Sequence, residues 1–223
     1  MKPSSRIING SQAAPNSIPW QAALFTMLGD RFYELKCGGV LISPVHVMTA
    51  AHCTRSWMES SHRIVLGLHS KNATSDAIIR EICRFEPHPN YDPRDPYFRY
   101  DFTIVHMTEP VEFGPRAVPA CLPTLKMGGD FLVNKTLTVS GWGYMKPGDR
   151  ESRPNNLRFV KVPGISNKVC KEKYVEENMT EGIIDAALCA GDIKEGGIDA
   201  CQKDSGGKLL CIIINLVSLE ILL

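Results

Sequence analysis

Short runs of strand-forming residues, each closed by glycine, proline, asparagine or aspartate, recur through most of this chain. They are rich in β-branched and aromatic residues, which fit the pleated, half-buried surface of a sheet. Long stretches with helical periodicity are scarce, and the best helix candidate is Asn167–Glu177, with Ser166 as its N-cap. The pattern predicts an all-β fold of many short strands arranged in closed barrels. The candidate strands include Arg31–Lys36, Gly39–Ser43, His46–Thr49, Arg63–Leu68, Phe102–Met107, Thr136–Ser140 and Leu157–Val162.

Composition excludes several classes of function. Of the 223 residues, 43% are hydrophobic and 22% are charged, which is enough apolar side chain for a buried core. Lys and Arg number 25 against 24 Asp and Glu, so the chain has no broad basic surface for nucleic acid or an anionic membrane. No stretch approaches the roughly 20 apolar residues of a membrane-spanning helix. We expect neither nucleic acid nor membrane as a partner.

The cysteines indicate an oxidising compartment. The chain has eight, and no two stand in the CxxC spacing typical of zinc sites. Scattered cysteines in a chain of this size favour disulfide bonds. Glycosylation sequons begin at Asn9, Asn72, Asn134 and Asn178 and agree with this interpretation. The sequence therefore predicts a secreted, extracellular glycoprotein.

Four segments stand out, and three of them carry residues suited to nucleophilic catalysis. A serine hydroxyl is a weak nucleophile that needs a base within hydrogen-bond reach, and a neutral imidazole suits that role near neutral pH. A buried carboxylate can hold the imidazole in one tautomer. The segments are Cys37–Ser43 running on to Met48-Thr49-Ala50-Ala51-His52-Cys53, Tyr100-Asp101-Phe102-Thr103-Ile104-Val105, Ser140-Gly141-Trp142-Gly143, and Asp199-Ala200-Cys201-Gln202-Lys203-Asp204-Ser205-Gly206-Gly207.

With these segments in this order, the chain resembles the trypsin/chymotrypsin family of serine proteases, from Arg6-Ile7-Ile8-Asn9-Gly10 to about Cys211. The resemblance implies two six-stranded antiparallel β-barrels. It implies a secreted serine endopeptidase that works through an acyl-enzyme without a cofactor. His52 would be the general base and acid, Asp101 would orient it, and Ser205 would attack the peptide carbonyl. The backbone N–H groups of Lys203 and Ser205 would form the oxyanion hole.

The resemblance also implies activation and specificity. Cleavage of a zymogen between Arg6 and Ile7 would free an ammonium group that pairs with Asp204, so residues 1–6 are a propeptide remnant and 7–223 the peptidase domain. Asp199 at the base of the specificity pocket would select Arg or Lys in substrates. The expected partners are protein or peptide substrates, protein inhibitors and an activating protease, and the domain is expected to be a monomer. No metal is expected, because Leu68 stands where calcium-binding members carry the first Glu ligand.

The chain departs from the family pattern near the nucleophile and after it. Lys203 and Lys208 replace a glycine and a proline of the family. A Cβ restricts the backbone where glycine is free, so Lys203 can turn its N–H away from the oxyanion. Residues 206–223 contain no recognisable Ser-Trp-Gly strand or terminal helix. We therefore expect a truncated peptidase domain whose second barrel is incomplete and whose tail forms a single strand or an aggregation-prone end.

The resemblance assigns two disulfide bridges, Cys37–Cys53 and Cys170–Cys189. It leaves four thiols without an assigned partner, and Cys83–Cys121 is one open pairing among them. The four are Cys83, Cys121, Cys201 and Cys211.

The sequence leaves two functions open. The first is an active endopeptidase, favoured by His52, Asp101, Ser205 and Asp199. The second is a catalytically impaired homologue that keeps the fold as a binding or regulatory module, favoured by Lys203 and the C-terminal departure. The remaining histidines stand in no comparable motif, and we interpret them as surface or partly buried residues; they are His46, His62, His69, His88 and His106.

Overall fold

A computed structural model describes residues 10–29, 31–95, 99–122, 129–145, 149–176, 189–191, 212–213 and 219–220. The chain divides into two compact units, one of residues Ala13–Leu122 and one of Met1–Gln12 with Pro123–Leu223. The strands are β1 (Ser11–Gln12), β2 (Gln21–Leu28), β3 (Arg31–Ser43), β4 (His46–Thr49), β5 (His62–Leu66), β6 (Ile78–Pro87), β7 (Thr103–Met107), β8 (Thr136–Gly141), β9 (Arg158–Ile165), β10 (Cys189–Ala190), β11 (Ile212–Ile213) and β12 (Leu219–Glu220). The helices are α1 (Ala51–Thr54) and α2 (Asn167–Glu176), and 3-10 turns cover Glu59–Ser61, Gly129–Leu132 and Arg150–Ser152.

The unit of residues 13–122 is a closed antiparallel barrel of six strands in the order β2-β3-β4-β7-β6-β5. Closure gives every strand two hydrogen-bonded neighbours and leaves no open sheet edge. Side chains alternate in and out along each strand, so in β7 Val105 and Met107 face the core while His106 faces outward. The prediction of an all-β fold with a six-stranded barrel is confirmed for this unit.

The barrel is filled by apolar side chains that come from all six strands. Burying one such side chain stabilises the fold by about 1.5–3 kcal/mol relative to leaving it in water. The pleat directs them inward together, so the interior is continuous around the barrel. The largest fully buried members are Leu24, Leu41, Ile64, Leu66, Val47 and Val105.

Within this barrel, the strand pattern differs from the sequence prediction in three places. The two predicted strands at residues 31–36 and 39–43 are one strand, β3. Strand β2 pairs with it continuously from Arg31 to Val40, through two register shifts. Strand β2 was not among the predicted runs because its first five residues are all buried and give no alternation. Strand β6 was not among them either, because charged residues occupy much of its exposed face.

The second unit contains a six-stranded sheet. Its order is β11-β10-β9-β8-β12, and β1 also pairs with β9. The long β8–β9 pairing, from Thr136 opposite Pro163 to Gly141 opposite Arg158, forms its centre. The sequence predicts one strand at most in the C-terminal tail, but the tail contributes two strands. Strand β11 pairs with β10, and β12 pairs with β8. In the described residues these two strands are the ends of the sheet order.

Helix α2 begins where the sequence predicts. The Val169 N–H donates to the Ser166 hydroxyl over 3.3 Å, which satisfies one of the unpaired donors of the first turn. The Cys170–Cys189 bridge ties the helix to β10 and is present as predicted. No helix in the described part of the chain is long and apolar enough to cross a bilayer.

Gly164 lies in β9 where the backbone of residues 132–135 passes over the strand. Its N–H donates to the Lys135 carbonyl over 2.8 Å, and its own carbonyl accepts from the Asn134 N–H over 2.9 Å. A Cβ on this residue would overlap the carbonyl oxygen of Leu132. The close approach of these two backbones therefore requires glycine.

We predict that Gly164→Ala destabilises the protein by about 3 kcal/mol, because the overlap is with backbone that a side-chain rotation cannot relieve. Urea denaturation measures this loss as a lower midpoint. Gly141→Ala in the neighbouring strand is the matched control, since no heavy atom lies within 4 Å of its added Cβ. A Gly164→Ala midpoint equal to that of the control would show that the backbone contact is not needed.

A buried histidine lies beneath the segment that follows α1. The His62 ring is 5% exposed, stacks on Trp57 with centroids 4.1 Å apart, and donates from Nδ1 to the Met58 carbonyl over 2.9 Å. Burial lowers the pKa of His62 from its ordinary 6.5. The unfolded chain therefore takes up a proton here at a higher pH than the folded chain does.

We predict that stability falls as the pH decreases through 6.5 towards the lowered pKa of His62, because the unfolded state binds the proton first. His62→Gln keeps an N–H donor but cannot titrate, so the dependence flattens in this variant. The measurement is the free energy of unfolding at several pH values between about 7.5 and 5. His88→Gln, which removes a half-exposed imidazole, serves as control, and equal slopes for wild type and His62→Gln would contradict the prediction.

Candidate active site

The register of β4 against β7 brings together the histidine and aspartate that the sequence singles out. Thr49, the last residue of β4, lies opposite Thr103, the first residue of β7. His52 follows the end of β4 on helix α1, and Asp101 lies two residues before the start of β7. Because the two strands are antiparallel, both side chains emerge at the same end of the ladder.

A tight turn aims Asp101 at this point. Tyr100 has a positive φ of 56°, and the Phe102 N–H donates to the Tyr100 carbonyl over 2.8 Å. A positive φ is uncommon for a residue with a side chain and indicates that the surroundings impose it. The His88 ring stacks on Tyr100 with centroids 5.0 Å apart, and the His88 N–H donates to the Phe102 carbonyl. The turn is thus held on both sides of Asp101.

Both carboxylate oxygens of Asp101 contact His52. Oδ1 accepts from the His52 backbone N–H over 2.7 Å, and Oδ2 lies 2.6 Å from His52 Nδ1. Asp101 is 1% exposed, whereas the His52 side chain is 31% exposed. Because the carboxylate accepts, Nδ1 carries the proton and Nε2 presents a lone pair, 3.6 Å from the Cys53 sulfur. The pair is therefore a base held in one tautomer.

Helix α1 is held by two further interactions, and a third fixes the end of β4 that leads into it. The Cys37–Cys53 disulfide joins β3 to α1 next to His52 and is present as predicted. The Thr54 and Thr103 hydroxyls lie 3.3 Å apart, which connects the end of α1 to β7. The Thr49 hydroxyl donates to the Gly38 carbonyl over 2.8 Å. The loop that carries His52 is consequently fixed to three strands.

A neutral tyrosine lies in the electrostatic field of Asp101. Burial, and then the charge of the Asp101 carboxylate, raise the pKa of Tyr91 above its ordinary value. The phenol therefore stays protonated at neutral pH. The Arg55 guanidinium donates to the Pro93 carbonyl in the same loop over 3.4 Å.

Sulfur atoms beside His52 could suggest a metal centre. Among the described residues, Cys37, His52 and Cys53 bring potential ligand atoms within 4.8 Å of one another. The two sulfurs are bonded to each other, however, so neither is available as the thiolate that a metal requires. This cluster does not suit a metal ion.

The remaining predicted site residues lie outside the described residues. The group comprises the nucleophile candidate, the oxyanion and specificity positions and the activation residues: Ser205, Lys203, Asp199, Asp204, Arg6 and Ile7. The same is true of Cys201 and Cys211. Cys83 and Cys121 are exposed free thiols, so the structure does not contain the open pairing between them.

Comparison with known proteins agrees with this geometry. The family model described as Trypsin matches residues 7–216. A solved structure of neuropsin, a serine protease expressed in the limbic system of mouse brain, superposes with a TM-score of 0.71 at 30% identity, covering 92% of this chain and 83% of that one. The chain belongs to the trypsin family. The resemblance to this family and the predicted all-β fold are thereby confirmed.

The relatives within the family include both short and long proteins. Glandular kallikrein-10 of Rattus norvegicus is 34% identical, with 93% of this chain and 75% of the relative covered. Serine proteinase stubble of Drosophila melanogaster is also 34% identical over 93% of this chain, which spans only 26% of that protein. The clotting factor G beta subunit of Tachypleus tridentatus is 31% identical over 92% of this chain, and the match covers 66% of that protein.

Proposed function

We propose that this chain is a serine endopeptidase in which Ser205 is the nucleophile, His52 the general base and Asp101 its orienting group. The observation that carries the proposal is the His52–Asp101 pair, with its 2.6 Å contact, buried carboxylate and partly exposed imidazole. This pair supplies the base that a serine nucleophile needs. The Asp204-Ser205-Gly206-Gly207 motif supplies the nucleophile in the position that the family gives it.

The reaction follows from the tautomer of His52. Nε2 takes the proton from the Ser205 hydroxyl as its oxygen attacks the peptide carbonyl, and the imidazolium that forms is stabilised by Asp101. The same Nε2 then gives the proton to the leaving amine, which leaves an acyl-enzyme. Water, deprotonated by His52, hydrolyses the acyl-enzyme and restores the free serine.

The negative charge on the carbonyl oxygen requires donors that are already in place. We assign this role to the backbone N–H groups of Lys203 and Ser205. Cleavage after Arg6 frees the Ile7 ammonium, which pairs with Asp204 and orders this segment. Before cleavage the Ile7 ammonium does not exist and Asp204 lacks this partner, so the uncleaved chain is a zymogen.

Substrate choice and location follow the same reasoning. The Asp199 carboxylate selects Arg or Lys before the scissile bond, because a cationic side chain is needed to neutralise a carboxylate at the base of a pocket. Proteases of this family act on protein substrates. We propose that this one is secreted, since disulfides such as Cys37–Cys53 persist in oxidising compartments. Protein inhibitors and an activating protease are the partners that such an enzyme requires.

We predict that protein cleaved after Arg6 reacts with a fluorophosphonate probe at Ser205, and that Ser205→Ala does not react. Asp101→Asn is expected to lower kcat by about 10⁴, the loss known for the equivalent change in this family, because His52 then takes the wrong tautomer. Mass spectrometry of the adduct and hydrolysis of Arg peptides measure the two effects.

The Lys203→Gly variant distinguishes a local defect in the oxyanion segment from a complete loss of catalytic function. If the parent chain does not react but this variant does, the oxyanion segment is at fault, and the gain in kcat should be about 10²–10³. If folded, Ile7-started protein reacts in neither form, the enzyme proposal fails and the impaired homologue, a binding module, takes its place.

We predict that Asp199→Ser lowers kcat/KM for Arg and Lys peptides by about 10²–10⁴, because a cation in the pocket loses its buried partner. Peptides with norleucine before the scissile bond are the control, since this side chain has similar length and no charge, and their hydrolysis should not fall. A parallel loss for both peptide classes would refute the specificity role of Asp199 while leaving the catalytic assignment intact.

A further inference from the structure

Two histidines on the outside of the first barrel are direct neighbours across the β4–β7 ladder. His46 lies opposite His106, and the ladder runs from this pair to Thr49 opposite Thr103. Three residue steps of an antiparallel strand separate the pair from the His52 end, a distance of about 10 Å. The His46–His106 pair is thus a feature apart from the catalytic residues, and nothing in the proposed protease reaction uses it.

The two rings point nitrogen atoms at each other. His46 Nε2 lies 3.1 Å from His106 Nδ1, and the rings are nearly perpendicular, with centroids 4.6 Å apart. Each ring has its other nitrogen engaged as well. His46 Nδ1 lies 2.7 Å from the Ser43 hydroxyl, and His106 Nε2 lies 2.8 Å from Glu86 Oε2. The result is a row of four polar side chains with the two imidazoles at its centre.

The hydrogen bonds determine which nitrogens carry protons. Glu86 pairs with the Arg84 guanidinium over 2.5 Å as well as with His106, so it is a carboxylate that only accepts. His106 therefore carries its proton on Nε2 and presents a lone pair on Nδ1. His46 can donate from Nε2 to this lone pair, or it can donate from Nδ1 to Ser43 and present a second lone pair. In the second tautomer the two lone pairs face each other, and a cation can bridge them.

The distances suit such a cation. Imidazole nitrogens bind zinc at about 2.0–2.1 Å, so two nitrogens 3.1 Å apart subtend about 100° at the metal, between octahedral and tetrahedral values. The outer hydrogen bonds to Ser43 and Glu86 are of the kind that orients metal-bound histidines. The His106 side chain is 19% exposed, which leaves room for water as a further ligand.

We propose that the His46–His106 pair binds a divalent transition-metal ion of the class that imidazole prefers, such as Zn²⁺, Ni²⁺ or Cu²⁺. The ion takes the place of the proton between the two rings. His46 moves its own proton to Nδ1 and donates it to Ser43, so both ligands stay neutral. Water completes the coordination on the exposed side. Bound metal ties β4 to β7 and stabilises the barrel.

Arg84 tunes the affinity of this site. It lies opposite His106 on β6, and its guanidinium is paired with Glu86 over 2.5 Å. Its charge opposes a bound cation and competes with His106 for the Glu86 carboxylate. Removing this charge while keeping both histidines should therefore strengthen metal binding, which a purely structural role of the row would not produce.

Zinc titration by calorimetry, on full-length Ser205→Ala protein so that autolysis is prevented, tests the proposal. We expect saturable binding to one site, lost in His46→Asn and in His106→Asn and weakened about 10- to 100-fold in Glu86→Gln. His88→Asn, another half-exposed histidine of the same unit, should bind as the parent does. Unchanged binding in a His46→Asn/His106→Asn double variant would place the ion elsewhere, for example at His52, and would overturn the proposal.

Two measurements remain decisive if a histidine variant does not fold. Arg84→Gln keeps both ligands and should bind zinc more tightly than the parent, and an equal or weaker affinity contradicts the site as described. The electron paramagnetic resonance spectrum of Cu²⁺ on the parent should show coupling to nitrogen from two imidazoles. A spectrum with one imidazole nitrogen or none refutes the pair as ligands.

Discussion

The antiparallel ladder between β4 and β7 is the constraint on which the functional features of the first barrel depend. Its register places Thr49 opposite Thr103 and His46 opposite His106. Residues that are 49 and 60 positions apart in the chain thereby become neighbours at the two ends of one short ladder. A shift of the register by one residue would turn every outward side chain of β7 inward, because side chains alternate along a strand. Both histidine contacts would then be lost together.

The burial of Asp101 links this ladder to chemistry. A carboxylate that is 1% exposed is costly unless its oxygens accept hydrogen bonds, and His52 supplies two of them. The interaction that satisfies the buried charge is therefore the same one that fixes the imidazole tautomer. Stability of the barrel and orientation of the base are consequently not separable properties in this protein.

Much of the fold and part of the site could be predicted from the sequence. The motif around His52, the Asp101 segment and the Ser166 cap are local patterns. The structure brings His52 and Asp101 within hydrogen-bond distance and places the Ser166 hydroxyl at the start of α2. Strand β2 was missed because both of its faces are buried, which removes the alternation that identifies a strand. The resemblance also supplied both disulfide pairs, which spacing alone does not give.

The His46–His106 pair illustrates what sequence reasoning does not reach. Each histidine stands within a strand-like run and in no motif of its own. Their contact depends on which strands pair and in which register, and these are properties of the closed barrel. The roles of Ser205, Lys203 and Asp199, by contrast, rest on motif and family, because these residues lie outside the described part of the chain.

Closure of the barrel has a consequence for the order of events in folding. The ring requires β7 to pair with both β4 and β6, and β5 to pair with β2, so it cannot form before Met107 has left the ribosome. Contacts of such long sequence separation form slowly, because loop entropy is lost before they stabilise the chain. A chain in which β4 and β7 have not yet paired contains neither the His52–Asp101 contact nor the His46–His106 pair. The contact between His52 and Asp101 is thus absent from a newly made chain until residues of both strands have emerged and paired.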